Sequence, residues 1–465
     1  MRTSADSQRF PFLFGAQYYR APTPEPYCWE ADLKKMRYLG FNTVKYWVQW
    51  RWSHRQPDSF FFTDLDELMH LASKNDLQVT LNVIFDVAPI WLYKKYPDAK
   101  QLMINGQEIA PYTVGHRQIG GHPGPCYSHT GAKLERQKFF KETLLHFRTA
   151  PAMKLWDVWN EPELCFPSRQ PSLESLVCYC PHCRDGFLRW LEEKYQTLDA
   201  INQVWGRCYS AWDEIELPRN TGTITDFIDW REFHMDTLAA EAKWRFDMAK
   251  KFDPAHGTYL HIVPNTWFSP VSAADDFSLA EDGEAFGGTM IGQKPSTGIH
   301  VTSAAQGKIC YNAESHINFG SMNLHQREIN LDLLCQEFLP QIGLGVKGFL
   351  FWQYRPEVLG VESPAWGLVN LDGTDRPVTQ AARIFWQKLS PYREVLLQAT
   401  TEKPSIAIWR SRANEIFHFC IRGEIQNFNL GIEGWINELY KQSLPFKLIN
   451  SKSLTEHNLD GIQIL

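Results

Sequence analysis

The sequence predicts an α/β fold: a (β/α)8 TIM barrel followed by a short, incomplete second α/β domain. Three observations predict it. Short apolar runs alternate with amphipathic helical stretches along most of the 465 residues, the rhythm of a parallel sheet wrapped by helices. Eight such runs suit closure into a barrel, a fold that occupies roughly 250 to 400 residues. An open doubly wound sheet would instead carry a Gly-rich phosphate turn after an early strand, and the sequence has none.

The elements follow in order. Phe12 to Tyr19 reads as the first strand, and Trp29 to Leu39 as an amphipathic helix stopped at Gly40. Thr43 to Trp50 is the second strand, and Asp64 to Lys74 a helix with Thr63 as N-cap. Val79 to Phe85 and Lys154 to Asn160 are the third and fourth strands, with the helix Leu134 to Phe147 between them. Helices over Asp185 to Tyr195 and Phe227 to Phe252 flank an irregular, Trp-bearing segment. Tyr259 to Val263, the neighbourhood of Thr289 to Ile291, Lys308 to Ala313 and Gly348 to Gln353 complete the eight strands. Helices over Glu328 to Ile342 and Thr379 to Leu397 finish the barrel, expected over residues 1–398. Beyond it, residues 399–465 read as a strand (Ser405 to Trp409), a helix (Leu430 to Tyr440) and the start of a second strand at Gly461 to Leu465.

Two of the barrel strands end in acids. Lys154-Leu-Trp-Asp-Val-Trp-Asn160-Glu161-Pro162 delivers a carboxyl group to the mouth of the sheet beside an amide, and the proline stops the strand. Lys308-Ile-Cys-Tyr-Asn-Ala-Glu314-Ser-His316 repeats the pattern about 150 residues on. A lone strand-end Glu is more often a salt bridge or a helix cap. Two of them on opposite barrel walls suit the paired-carboxylate chemistry of glycoside hydrolysis. Glu284 and Glu362 are the rival acids. Asp86, His261, Asn265, His316, Trp352, Gln353 and Tyr354 also fall at strand ends, as site or core residues, whereas His54 and His129 belong to no constellation.

Composition narrows the function classes. The net charge of −6 argues against a nucleic-acid partner, which would show a basic stripe. No run reaches the ~18 apolar residues of a membrane span, and the N-terminus has no secretory h-region. Aromatic residues make up 14% of the chain, which serves either a large core or stacking against sugar rings. Ten cysteines are too few for a disulfide scaffold in a chain this long. Three of them crowd into Cys178-Tyr-Cys180-Pro-His-Cys183, as a metal site would require. A reducing, cytoplasmic setting is expected.

Several segments together resemble one family. Phe14-Gly-Ala-Gln-Tyr-Tyr19, Met36-Arg-Tyr-Leu-Gly-Phe-Asn42, Trp159-Asn-Glu161, the cysteine cluster, Asn202-Gln-Val-Trp-Gly206, and Gly348-Phe-Leu-Phe-Trp-Gln-Tyr354 leading into Gly367-Leu-Val-Asn-Leu-Asp-Gly373 are similar to glycoside hydrolase family 42, the bacterial β-galactosidases. The similarity runs over roughly residues 10 to 395. The segment after 400 resembles the start of that family's α/β, Rossmann-like trimerisation domain, which implies a possible homotrimer.

The resemblance implies a retaining exo-β-glycosidase acting on a small oligosaccharide or glycoside. Glu161 matches the general acid/base, Asn160 its amide partner and Glu314 the nucleophile. Cys126, Cys178, Cys180 and Cys183 match the thiolates of a structural zinc, with no cofactor for catalysis. His122 stands where the family places an active-site arginine, and Arg117 is the nearest arginine, inside a Gly-rich insertion from Gly115 to Gly124. Glu362 keeps an acid of the late sugar-binding loop, but Ala365 or Trp366 replaces the histidine near it. The stretch after Trp-Gly is shortened to Arg207-Cys-Tyr209, and no tryptophan stands eight residues beyond Glu314. Trp352 is the expected sugar platform. These departures fall on sugar contacts, so a β-glucosidase or β-mannan-type glycosidase and a non-catalytic sugar-binding protein stand as alternatives. In the expected mechanism Glu314 is ionised, and burial beside Trp156 or Trp159 keeps Glu161 protonated.

Overall fold

The computed structural model describes residues 9–109, 124–164, 173–263, 269–316, 328–359, 363, 366–424, 426–455 and 459–465. Eight parallel strands close into a barrel: β1 (Leu13–Tyr19), β2 (Thr43–Gln49), β3 (Gln78–Ile84), β4 (Met153–Asn160), β5 (Gly257–Ile262), β6 (Ala285–Gly288), β7 (Ile309–Ser315) and β8 (Gly348–Phe351). Closure is made where Leu13, Phe14, Gly15 and Ala16 pair with Gly348, Phe349, Leu350 and Phe351. Every strand from β1 to β8 is almost wholly buried, on the face towards the helices and on the face towards the barrel interior alike.

Alternate side chains serve two cores. One set faces the helices: Phe14 stacks on Trp386 of the helix Pro377–Leu389, with ring centroids 4.6 Å apart. Phe349 meets Phe338 of the helix Leu331–Gly343 at 3.9 Å. Burial of each such side chain contributes about 1.5–3 kcal/mol. The other set fills the barrel, where Leu13, Leu155, Tyr259, Ala285, Ile309, Tyr311, Ala313 and Leu350 form a separate apolar cluster. Other buried residues of the barrel strands are polar: Gln17, Lys45, Asn82, Asp157 and His261. The C-terminal end of the barrel is the working face of this architecture.

The sixth strand lies at Ala285–Gly288, upstream of the expected Thr289 to Ile291. Its two glycines hide it from a reading based on bulky side chains, and packing explains them. A Cβ on Gly287 would stand 2.8 Å from Cβ of Ala313 and 3.2 Å from Cβ of His261. Thr63 is the first residue of its helix, which starts after Phe62, so it is not the N-cap. The expected helix Thr379 to Leu397 is interrupted by a 3₁₀ turn, Ser390–Tyr392, where Pro391 cannot supply a backbone donor.

The C-terminal segment departs most from expectation. Its β9 (Ile406–Trp409) pairs in parallel with β10 (Phe446–Ile449), across the helices Arg412–Arg422 and Gln426–Lys441. The βαβ unit therefore has both strands, and the segment expected as its second strand contributes only an isolated parallel bridge, Ile464 to Ile406. The unit sits on the barrel wall through Arg412, which meets Glu232 at 3.2 Å and Asp236 at 2.8 Å. Among the described residues no helix is long and apolar enough to cross a membrane.

Candidate active site

β4 and β7 bring the two strand-end glutamates together. A carboxylate oxygen of Glu161, a ring nitrogen of His261 and a carboxylate oxygen of Glu314 all lie within 4.8 Å of one another. Glu161 follows the last residue of β4 with a φ of 50°, a left-handed conformation that costs a non-glycine residue energy. Its backbone N–H donates to the carbonyl of His261 at 2.9 Å, which pins this turn to β5. The side chain is half-buried, while Glu314 is buried.

Both oxygens of Glu314 are held. Gln17 donates from Nε2 to Oε2 at 2.8 Å, His316 Nε2 stands 3.0 Å from Oε1, and His261 Nε2 lies 3.3 Å from Oε2. Burial alone would favour the protonated acid. The contacts with His261 and His316, and their positive charge, outweigh it and hold Glu314 well below the usual carboxylate range. Behind His261 lie Asp157 and Lys45, both fully buried: Asp157 Oδ2 is 2.7 Å from His261 Nδ1 and 2.7 Å from Lys45 Nζ.

The other expected residues divide. Asn160 is buried, and among the described residues its Oδ1 has no hydrogen-bond partner, which leaves an acceptor beside Glu161 for a hydroxyl. Trp352 is buried against Trp47, with ring centroids 5.5 Å apart, and the Arg20 guanidinium covers both indoles at 5.5 and 4.9 Å. At this wall Trp366 is the more accessible indole, and its ring stacks on His316 at 5.0 Å. Arg117, His122, Glu362 and Asn265 lie outside the described residues. Glu284 is no rival to Glu314: it precedes β6, at the opposite end of the barrel, and meets Arg9 at 2.8 Å and Thr258 at 3.1 Å. Asp86 accepts from the Tyr127 hydroxyl at 3.2 Å. His54 is buried, with its Nδ1 accepting from Trp50 at 3.0 Å.

Sequence reasoning named His261 only as a strand-end residue and missed Gln17, Lys45 and Asp157. A signal existed for two of them. Lys45 and Asp157 interrupt otherwise apolar strands, and a charge in such a place must find a partner. Gln17 carries no such mark.

The four cysteines converge as expected. All four Sγ atoms lie within 4.8 Å of one another and all are buried, with Cys126 3.4 Å from Cys183 and 3.3 Å from Cys180. A tetrahedral zinc with Zn–S of about 2.3 Å sets its sulfurs roughly 3.8 Å apart, so the donor set fits. Backbone N–H groups of Leu102 and Cys183 point at Cys178 and Cys180 Sγ, both at 3.4 Å, as suits thiolates. A neighbouring trio, Asp98, His129 and His182, is not a second metal site. His129 Nδ1 caps the helix Thr130–Phe147 by accepting from Ala132, so its Nε2 carries the proton given to Asp98 and has no lone pair for a metal.

Comparison with known proteins follows this geometry. The model of glycoside hydrolase family 42, described as beta-galactosidase, matches residues 17–289. Beta-galactosidase LacZ of Heyndrickxia coagulans is 30% identical over 253 residues, 52% of this chain and 35% of the relative. Beta-galactosidase BgaA of Clostridium cellulovorans is 25% identical over 268 residues, 55% of this chain and 36% of the relative. The chain spans about a third of the length of the curated relatives it matches. Among solved structures, the beta-galactosidase of Bacillus circulans sp. alkalophilus superposes with a TM-score of 0.80 at 19% identity, over 95% of this chain and 66% of that one. The exo-carrageenase of Bacteroides ovatus gives 0.66 at 15% identity, over 94% of this chain and 59% of that one. At these identities the superpositions speak for the fold.

Proposed function

The chain belongs to glycoside hydrolase family 42, the beta-galactosidase family, and on that premise we propose that it hydrolyses terminal β-D-galactosides by a retaining double displacement. One observation carries the mechanism: the carboxylate oxygens of Glu161 and Glu314 approach within 4.8 Å, near the roughly 5–5.5 Å spacing of retaining pairs and short of the ~6.5–9.5 Å of inverting ones. Glu314 attacks the anomeric carbon and forms a glycosyl ester as the bond to the leaving oxygen breaks. Glu161 gives that oxygen its proton, so the aglycone departs as the free alcohol and Glu161 is left as a carboxylate. Glu161 then takes a proton from water, whose oxygen attacks the same carbon and releases Glu314. Two inversions restore the β configuration. Asn160, with its unpartnered Oδ1, binds the sugar 2-hydroxyl beside the reacting centre.

A panel of nitrophenyl glycosides tests the substrate class. Turnover should be highest for β-D-galactoside, and preference for the β-glucoside or β-mannoside would refute the galactoside assignment. A 2-deoxy-2-fluoro-β-galactoside should label the peptide that contains Glu314. Label on another acid would reassign the nucleophile.

We further propose a structural zinc bound by Cys126, Cys178, Cys180 and Cys183, joining the loop around Cys126 to the start of the helix Pro181–Tyr195. Four thiolates leave no open coordination position, so such a metal cross-links the chain and takes no part in bond cleavage.

A further inference from the structure

Three buried ionisable residues from three strands converge behind Glu314: Lys45 from β2, Asp157 from β4 and His261 from β5. Their hydrogen bonds fix where the protons lie. A lysine ammonium can only donate, so Lys45 gives its proton to Asp157 Oδ2 at 2.7 Å. His261 Nδ1 lies 2.7 Å from the same oxygen and 3.1 Å from Lys45 Nζ; the shorter contact is with a carboxylate oxygen, which can only accept, and it places a proton on Nδ1. The other ring nitrogen, Nε2, then faces Glu314 Oε2 at 3.3 Å. A neutral ring would set a lone pair against a carboxylate oxygen there, which is repulsive. A proton on Nε2 makes the contact attractive.

Charge counting gives the same answer. His316 is a further positive group at Glu314 Oε1, but it is only half-buried; among the buried groups, a neutral His261 would leave Lys45 alone against the two carboxylates of Asp157 and Glu314. With an imidazolium the four groups balance, as buried charges require. The remaining groups that face His261 are Glu161 beyond β4 and Tyr259 on its own strand, while Gln17 from β1 shares Oε2 of Glu314. Gly287 on β6 leaves the space the ring occupies.

We infer that His261 is an imidazolium positioning residue, set by Asp157 and Lys45, that keeps Glu314 ionised and aimed. The inference rests on the proposed role of Glu314 as nucleophile. Burial and Lys45 both push the His261 ring towards its neutral form, but Asp157 and Glu314 outweigh them and raise it above the ordinary histidine range. Sharing Asp157 with Lys45 leaves the ring's positive charge directed to Glu314.

The test separates charge from packing. His261→Gln keeps an amide donor but removes the charge, and Asp157→Asn removes the anchor of the Nδ1 proton. In each the acid limb of the kcat/KM profile for nitrophenyl β-galactoside should move up by about one pH unit or more. An unmoved acid limb with kcat reduced equally at every pH would overturn the inference and leave His261 a packing residue. Nitrogen-15 NMR of histidine in the unsubstituted protein gives a readout that needs no turnover. His261 should carry protons on both ring nitrogens at about pH 7, and a neutral ring would refute the inference even if the variants fail to fold. Should fluoroglycoside label fall elsewhere than Glu314, the functional reading fails, while the ring's protonation still reports on the buried cluster.

Discussion

Gln17 joins two walls of the site: its Nε2 donates to Glu314 Oε2 at 2.8 Å while its Oε1 accepts the Trp47 indole N–H at 2.7 Å. An indole can only donate, so the amide has one orientation and its NH₂ group must face Glu314. Gln17→Met should lose this bond and reduce kcat/KM by about 10- to 100-fold, the worth of a hydrogen bond to a charged group at roughly 1.5–3 kcal/mol. Gln17→Glu should be worse, because two adjacent carboxylates cannot both ionise readily. Steady-state kinetics on nitrophenyl β-galactoside checks both. Parental kcat/KM in Gln17→Met would show that the amide does not hold the nucleophile.

Glu161→Gln should discriminate among leaving groups. A phenol or alcohol of high pKa needs a proton to depart, which the proposed mechanism draws from Glu161, so its hydrolysis should slow by about 10²- to 10⁴-fold. Dinitrophenolate departs without a proton, so that substrate should be much less affected in the first step. A uniform loss across leaving groups would mean that Glu161 does not act as the acid.

Metal analysis of the purified protein should give about one zinc per chain. Cys183→Ser removes one of four sulfurs from a buried cluster and should destabilise the fold by about 3 kcal/mol or more. The molecules that remain folded should keep their kcat, since the cluster is separate from the Glu161 and Glu314 pair. Calorimetry and mass spectrometry measure the two quantities. Loss of kcat without loss of Tm would contradict a purely structural metal.

The barrel was legible because six of its strands are largely apolar runs of six to eight residues. β6 was not, since Ala285–Gly288 shows almost no side chain to read and owes its place to the room its glycines leave for Ala313, His261 and Val301. β10 was missed for a related reason: Phe446–Ile449 is four residues long and only its last two are buried. Glu161 and Glu314 could be picked out because each ends a strand. The contact of His261 with Glu314 joins residues more than fifty positions apart on strands that are not neighbours, and it exists only once the barrel closes. Charge inside the apolar strands at Lys45 and Asp157 was the trace it left in the sequence.

Glu337 offers a stability test outside the site. It lies in the helix Leu331–Gly343, is buried, and accepts the Gly292 backbone N–H at 2.5 Å and the Gln341 amide at 3.3 Å. Burial raises its pKa, and the backbone amides of Gly292 and Gln293 offset this only in part, so the carboxyl sits above the usual glutamate value. A group whose folded pKa exceeds its unfolded one holds its proton more tightly in the folded state. Its contribution to stability is full below the unfolded pKa, and it falls away as pH rises through the folded pKa. Glu337→Gln keeps an acceptor for Gly292 and removes the ionisation. The Tm of the variant relative to the parent should therefore improve between about pH 4 and about pH 8, whatever the offset at low pH. Scanning calorimetry at both values decides it: a constant difference would mean that Glu337 does not titrate differently in the folded chain, and a shrinking one would reverse the sign of the argument.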